Sequence, residues 1–209
     1  MANDVRLRIV LTRPAGRNAK QRADLEQAGH TVSEVPLTRI EAVAAFPDPS
    51  EFDGVLFTSV SAVERAPEGC SWPRVGAVGP ATADALRVRG IELQVIGAGG
   101  GAELAKAWGG CSGQRLLWPR AEAAHLDLGH ALVAAGADVV HAAVYRTVAL
   151  PNVDRNAFVD ADVICFHAPS AVEAYCALGV ETNARFWARG LTTAAALEAG
   201  ELPLLDAEL

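Results

Sequence analysis

Short runs of apolar and β-branched residues alternate along this chain with stretches whose apolar positions recur at helical spacing. The pattern predicts strands at 7–11, 31–36, 52–58, 74–78 and 93–96. It predicts helices at 18–28, from residue 61, at 80–89 and near 103–108. Strand–helix alternation is typical of parallel sheets that carry helices on both faces. The chain is therefore predicted to have an α/β fold.

The sequence also contains an internal repeat. Segment 29–32 (GHTV) corresponds to 136–139 (GADV) at an offset of 107, which also pairs Arg13 with Arg120 and Arg39 with Arg146. Segment 57–64 (FTSVSAVE) corresponds to 166–173 (FHAPSAVE) at an offset of 109. Segment 79–86 (GPATADAL) corresponds to 190–197 (GLTTAAAL) at an offset of 111. Because the order is kept, the chain is predicted to hold two copies of one α/β half, with a ligand cleft between two similar lobes.

Composition narrows the class of protein. The 209 residues are 51% hydrophobic and 21% charged, which excludes a disordered chain. The net charge of −7 and the lack of a basic stripe argue against nucleic acid as a partner. No segment has the length and apolar character of a signal peptide or a membrane span, so we expect a soluble cytoplasmic protein. The four cysteines lack metal-site spacing and are expected to be reduced and mostly buried.

Hydroxyl-rich segments follow several of the predicted strands. Ser61–Glu64 and Ser170–Glu173 share the string SAVE, which is typical of a capping box. The turns at 79–82 and 190–193 add two further helix starts. A helix start after a strand points unbonded N–H groups outward, which suits an anion such as a carboxylate. These residues can cap helices only, or cap helices and also contact a ligand.

Other motifs are less informative. The glycine run at 97–101 lacks the pattern of a phosphate-binding loop and is interpreted as a flexible loop. Ser59 is not part of a nucleophile elbow, which argues against a hydrolase. Tyr145 lies in an extended run, where packing and catalysis are both open roles. No metal-ligand cluster is evident.

Six motifs in order resemble the uroporphyrinogen-III synthase family across nearly the whole chain. They are VLTRP at 10–14, FTS at 57–59 with Ala62 and Val63, AVGPAT at 77–82, VYRTV at 144–148, APSAV at 168–172 and TTA at 192–194. The resemblance implies two α/β lobes with parallel sheets, joined by a two-stranded β-ladder and separated by a cleft. The first lobe would comprise 1–37 and 149–209, the second 42–145, and the ladder 38–41 and 146–148.

The resemblance also implies an activity that needs no cofactor and no metal. The family dehydrates hydroxymethylbilane, inverts its last pyrrole ring through a spiro intermediate and closes the macrocycle as uroporphyrinogen III. The expected partners are this small substrate and, transiently, hydroxymethylbilane synthase; the protein is expected to be a monomer and to bind neither nucleic acid nor a membrane. Tyr145 is the candidate catalytic residue, since tyrosine is protonated at neutral pH and can donate a proton to the departing hydroxyl. The candidate substrate-binding residues are Thr58, Ser59, Thr82, Ser170, Thr192, Thr193, Arg13 and Arg120.

The sequence departs from the family pattern in its second half. The usual Thr-Ser-Pro is His167-Ala168-Pro169, and the usual Gly-Pro-Thr-Thr has Leu191 in place of proline. Relative to the first copy, the second copy ends without its last helix. These differences favour an alternative function, a non-catalytic bilobal sensor or binding module for a tetrapyrrole or another polycarboxylate. A binding protein of the periplasmic type is a third alternative, which the lack of a signal peptide disfavours.

Overall fold

The computed structural model describes residues 5–124 and 127–205. The chain divides into two compact units, one made of the residues up to Ile40 and from Thr147 onward, the other of Glu41–Arg146. We call them unit 1 and unit 2. Within the described ranges, no helix combines the length and hydrophobicity that a membrane span requires.

Ten strands and eight helices make up the described structure. The strands are β1 (Arg8–Leu11), β2 (Thr31–Glu34), β3 (Thr38–Ala42), β4 (Gly54–Phe57), β5 (Arg74–Ala77), β6 (Val95–Ile96), β7 (Arg115–Ala121), β8 (Asp138–Ala149), β9 (Val163–Phe166) and β10 (Arg185–Ala188). The helices are α1 (Ala19–Gln27), α2 (Val60–Glu64), α3 (Pro80–Val88), α4 (Gly101–Trp108), α5 (Asp127–Ala134), α6 (Asn156–Val159), α7 (Pro169–Leu178) and α8 (Leu191–Ala199). A 3-10 turn at Pro49–Glu51 precedes β4.

The sheet of unit 1 has four parallel strands in the order β10-β9-β1-β2. Leu11 pairs with Cys165 across β1 and β9, and Ala188 pairs with Phe166 across β10 and β9. The central strand β9 is buried along its whole length. An unbroken apolar strand of this kind is expected where both faces of a parallel sheet are covered.

The sheet of unit 2 has the order β3-β8-β7-β4-β5-β6. Its strands β8, β7, β4, β5 and β6 pair in parallel, and β4 is again buried throughout. At the β3 edge, the N–H of Val43 donates to the carbonyl of Val144. The chain passes from one unit to the other within β3 and again within β8.

The internal repeat is visible in the strand order of each unit. The order β2-β1-β9-β10 of unit 1 corresponds, strand by strand through the sequence offsets, to β8-β7-β4-β5 of unit 2. The prediction of two similar parallel-sheet α/β halves is therefore confirmed.

The burial of the cysteines differs in part from the prediction. All four are free, as predicted, but only Cys111 and Cys165 are buried, while Cys70 is half-buried and Cys176 is exposed. Burial raises the pKa of the Cys165 thiol to about 12, so it behaves as an inert core residue.

Trp108 organises one face of the unit 2 sheet. Its side chain is 1% exposed and packs against Gly54 and Gly76, whose missing side chains leave room for the indole. The indole Nε1 donates to Oε1 of Gln114 at 3.1 Å. The guanidinium of Arg74 lies 4.3 Å from the ring centroid, in the arrangement of a cation–π contact.

Candidate active site

A pocket of about 330 Å³ lies at the carboxyl edge of the unit 2 sheet. The ends of β4 and β7, residue Tyr145 of β8 and the start of α4 line it, with Thr58, Ser59 and Trp118 among the contributing side chains. Ligands of open parallel sheets bind at this edge, where strands end and helices begin. The volume is at the lower end of the range for small-molecule sites, so the pocket suits one part of a large ligand.

Tyr145 and Ser59 are joined by a hydrogen bond at this pocket. The phenol hydroxyl of Tyr145 donates to Oγ of Ser59 at 3.0 Å, and the tyrosine is 8% exposed. The same Oγ accepts the backbone N–H of Ala62 at 3.2 Å, because Ser59 is the N-cap of α2. The serine is thus fixed by its own helix and in turn orients the tyrosine. Proton donation from the phenol to a ligand in the pocket requires its hydrogen to turn from Ser59 to the ligand, after which the Ser59 hydroxyl can donate to the phenol oxygen.

The hydroxyl of Thr58 is also positioned by a hydrogen bond. The indole Nε1 of Trp118 donates to its Oγ1 at 3.0 Å. The ring of His141 packs on Trp118 with centroids 5.1 Å apart. Burial is the main cause of the lowered pKa of His141, which keeps that ring neutral at physiological pH. Since Thr58 accepts the indole N–H, its own hydroxyl hydrogen is available for a ligand.

Two other candidates of unit 2 lie outside the pocket lining. Thr82 is the third residue of α3 and is only 4% exposed. Arg120 donates through Nη1 to the carbonyls of Ala121 at 2.8 Å and Glu122 at 2.9 Å. These bonds tie the guanidinium to the chain at the end of β7.

The glycine run forms part of the pocket, a role that the interpretation as a flexible loop missed. Gly99, Gly100 and Gly101 line the pocket, and Gly101 is the first residue of α4. A Cβ at Gly101 would lie 3.0 Å from the Leu128 backbone nitrogen, so the close approach of α5 leaves little room for a side chain there. A glycine run directly before a predicted helix was the available signal.

The predicted capping boxes are wrong. Ser59, not Ser61, caps α2, and Ser61 is already the second helical residue. In α7 the N-cap is Ala168 and Ser170 is the second helical residue. Both helices begin two residues earlier than the SAVE string suggests, because the Ser59 hydroxyl caps the first and Pro169 is preset for the first turn of the second.

The unit 1 candidates lie at the carboxyl edge of the other sheet. Arg13 follows β1 and is half-buried, and Ser170 lies in the first turn of α7. Thr192 and Thr193 lie in the first turn of α8, where Thr192 is exposed and Thr193 is 1% exposed. Thr12 donates from Oγ1 to the carbonyl of Cys165 at 2.7 Å, which ties the end of β1 to β9.

Other cationic groups lie near Arg13 and His167. Burial, followed by the charges of Arg17 and Arg189, lowers the pKa of Arg13. Burial, followed by the charges of Arg13 and Arg189, lowers the pKa of His167 to about 4. His167 also packs on Trp187, with ring centroids 5.5 Å apart. The imidazole is therefore neutral at physiological pH.

The lowered pKa of His167 predicts a pH effect on stability. Between its ordinary pKa of 6.5 and about 4, the unfolded chain binds this proton and the folded chain does not. Stability should therefore fall as pH falls through that window. We expect the free energy of unfolding of His167→Gln, measured by chemical denaturation at a series of pH values, to depend less steeply on pH than that of the parent. An unchanged slope in His167→Gln would contradict the prediction.

Within the described ranges, no group of three or more His, Cys, Asp or Glu side chains is arranged to hold a metal ion.

Comparisons with known proteins converge on one family. The family model of uroporphyrinogen-III synthase HemD matches residues 19–205. A uroporphyrinogen-III synthase of Synechococcus elongatus is 30% identical over 209 aligned positions, which cover 85% of this chain and 78% of the relative.

Solved structures share the fold. The uroporphyrinogen-III synthetase of Helicobacter pylori superposes with a TM-score of 0.66 at 21% identity, covering 96% of this chain and 91% of that one. A mutant uroporphyrinogen III synthase of Thermus thermophilus gives a TM-score of 0.57 at 19% identity, with 95% and 90% covered. With its ordered motifs, its repeated α/β halves and the match of the family model over most of its length, this chain belongs to the uroporphyrinogen-III synthase family.

Proposed function

We propose that this enzyme of haem biosynthesis closes hydroxymethylbilane to uroporphyrinogen III with Tyr145 as its proton donor. The observation that carries the assignment of Tyr145 is its hydrogen bond to the helix-capping Ser59 at the lining of the unit 2 pocket. The pocket suits the end of the substrate that bears the hydroxymethyl group, because Tyr145 lines it.

The proton route follows from the hydroxyl pair. The phenol hydrogen of Tyr145, which points to Ser59 in the structure, first turns to the substrate. As the carbon–oxygen bond of the substrate breaks, this proton passes to the leaving hydroxyl, which departs as water. Ser59 keeps its own hydroxyl hydrogen, because its Oγ only accepts from Ala62 and Tyr145. That hydrogen can turn to the phenolate oxygen and stabilise its charge. The proton that leaves the substrate when the ring closes restores the phenol.

Binding of the substrate's carboxylates requires hydrogen-bond donors rather than an acid–base pair. We assign this role in unit 2 to Thr58, Ser59, Thr82 and Arg120, and in unit 1 to Ser170, Thr192, Thr193 and Arg13. The hydroxyl residues lie at or next to the starts of α2, α3, α7 and α8, whose N–H groups carry partial positive charge, and the two arginines are cationic. Holding a flexible polyanion in a coiled conformation supplies much of the rate, since it brings the reacting carbons together.

The wider organisation proposed for the enzyme follows the family resemblance. The two lobes would comprise 1–37 with 149–209 and 42–145, with 38–41 and 146–148 as the connecting segments. We propose that the enzyme acts in the cytoplasm as a monomer and receives its substrate from hydroxymethylbilane synthase in transient encounters. Gel filtration across a range of protein concentrations tests whether the protein is a monomer.

The isomer of the product tests the function. The purified protein is mixed with hydroxymethylbilane freshly made by its synthase, and the oxidised porphyrins are separated by chromatography. We expect uroporphyrin III in excess over the I isomer, which forms without catalysis. Isomer I alone would overturn the proposed activity; if the protein still bound a uroporphyrin, the alternative of a non-catalytic binding module would replace it.

A further inference from the structure

We propose that Arg189 and His167, together with Arg13, form a cationic subsite in unit 1 that binds one carboxylate of the polycarboxylate substrate. The inference rests on the proposed function for the identity of the ligand. It adds two residues, Arg189 and His167, to the set that the family resemblance indicates.

Arg13, His167 and Arg189 follow the ends of three adjacent strands of the unit 1 sheet. Leu11 pairs with Cys165, and Arg13 and His167 each follow two residues later. Ala188 pairs with Phe166, so Arg189 is level with His167 on the other side. The Arg189 N–H donates to the carbonyl of Phe166 at 2.8 Å, which continues the ladder to that point. The charges of Arg13 and Arg189 both act on the His167 ring, so the two guanidinium groups lie near it.

Two of the positive charges at this edge, those of Arg13 and Arg189, have no carboxylate partner within residues 5–124 and 127–205. Neither Arg13 nor Arg189 forms an ion pair or a side-chain hydrogen bond with any residue in the described part of the chain. Both ring nitrogens of His167 are buried and have no hydrogen-bond partner there. Buried polar atoms are normally satisfied, so an orphaned imidazole beside two guanidinium groups is a reason to expect a ligand.

The corresponding strand ends of unit 2 lack the imidazole of His167 and the guanidinium of Arg189. At the positions that correspond to His167 and Arg189, unit 2 has Thr58 and Val78. The position of the helix cap Ser59 is occupied by Ala168, which has no hydroxyl. Unit 1 has therefore lost the hydroxyl donors of this strand end and gained cationic or N–H donors at the same edge.

The two helices that begin beside this cluster add donors. No side chain in the described structure caps α7 or α8. The N-cap of α8 is Gly190, whose φ of +89° is accessible mainly to glycine and directs the chain from Arg189 into the helix. A carboxylate here would accept from the guanidinium groups, from the imidazole and from the first N–H groups of a helix.

Carboxylate binding has a spectroscopic consequence. The charges that face His167 are Arg13 and Arg189, with Arg17 beside Arg13. A bound carboxylate offsets their repulsion and favours the imidazolium, so it should raise the pKa of His167. A residue with only a structural role would show no such response to ligand.

The test uses uroporphyrin I, a stable octacarboxylate that cannot react, as the probe. Its dissociation constant is measured for the parent and for Arg189→Gln, with Arg155→Gln as the control, since Arg155 is an exposed arginine of the same unit. We expect Arg189→Gln to weaken binding and raise KM for hydroxymethylbilane on the order of 10-fold, with kcat little changed. Arg189→Lys should recover part of the loss, and Arg155→Gln should match the parent. NMR titration of His167 should give a higher pKa with uroporphyrin I bound.

The results distinguish a failure of the proposed subsite from a failure of the proposed function. If isomer III forms but Arg189→Gln binds uroporphyrin I as Arg155→Gln does, the subsite is wrong and the function stands. If no isomer III forms but Arg189→Gln still weakens the binding, the subsite stands on an enzyme without the proposed activity. An unchanged pKa of His167 in the presence of bound uroporphyrin I would also overturn the subsite. Thermal unfolding of each variant shows whether weaker binding comes from the loss of a ligand contact or from a destabilised fold.

Discussion

Tyr145→Phe should lower kcat for the formation of uroporphyrinogen III by about 100- to 10,000-fold, the range typical of removing a general acid. Phenylalanine keeps the ring in place and removes only the hydroxyl that donates to Ser59. Hydroxymethylbilane should still bind, so KM should change much less than kcat. Quenched time points, analysed as oxidised porphyrins, give both constants.

The second tyrosine of the chain offers a matched control. Tyr175 is 2% exposed, and its hydroxyl has no hydrogen-bond partner in the described structure. Burial raises the pKa of that phenol to about 12. Tyr175→Phe should therefore leave kcat unchanged and leave stability equal or slightly higher, because an unsatisfied buried hydroxyl is removed. Equal rates for Tyr145→Phe and Tyr175→Phe would remove Tyr145 from the mechanism.

Trp108→Ala should lower the free energy of unfolding by about 3–5 kcal/mol. The indole is almost completely buried, and its loss leaves a cavity beside two glycines. The carbonyl of the Gln114 side chain also loses its donor, and Arg74 loses the ring beneath it. Chemical denaturation followed by circular dichroism measures the change.

A double-mutant cycle tests whether packing against Gly54 is the cause. In the parent, the new methyl of Gly54→Ala would overlap the Trp108 ring, so this variant should be destabilised by about 1–3 kcal/mol. In the Trp108→Ala background the overlap with the indole is gone and Leu116 Cδ2 at 3.1 Å is the remaining close neighbour, so the same methyl should cost much less. Additive effects of the two substitutions would contradict the proposed packing. Gly110→Ala, where an added Cβ meets no atom within 4 Å, is the control.

The fold was predictable because the strands are buried on both faces. Runs such as those of β4 and β9 are apolar throughout, and helical periodicity separates them, so their type and order follow from pattern. The repeat then predicted two copies of one α/β half, and the strand order of the two sheets agrees with it. Helix starts were predicted less well, since one serine of FTSVSAVE caps the helix and the other does not. That choice depends on whether the chain is still extended at Ser59, which tertiary structure decides.

The candidate site was predictable only in part. Tyr145 and Ser59 lie 86 positions apart, and no spacing rule indicates that their hydroxyls meet. The resemblance selected both residues, and the parallel pairing of β4, β7 and β8 brings them together. The contribution of Trp118 to Thr58 and the cationic surroundings of His167 depend on neighbours from other strands. Such contacts are set by the register of the sheet, and strands that are apolar on both faces, such as β4 and β9, have no alternating pattern to specify it.

The division of the chain has a consequence for synthesis on the ribosome. Unit 2 is one continuous stretch, whereas β1 of unit 1 pairs with β9, with Ile9 opposite Val163. As the polypeptide emerges, every strand of unit 2 becomes available before β9 does. We therefore expect the middle of the protein to acquire protease resistance first on stalled nascent chains, while β1 and β2 await their partner.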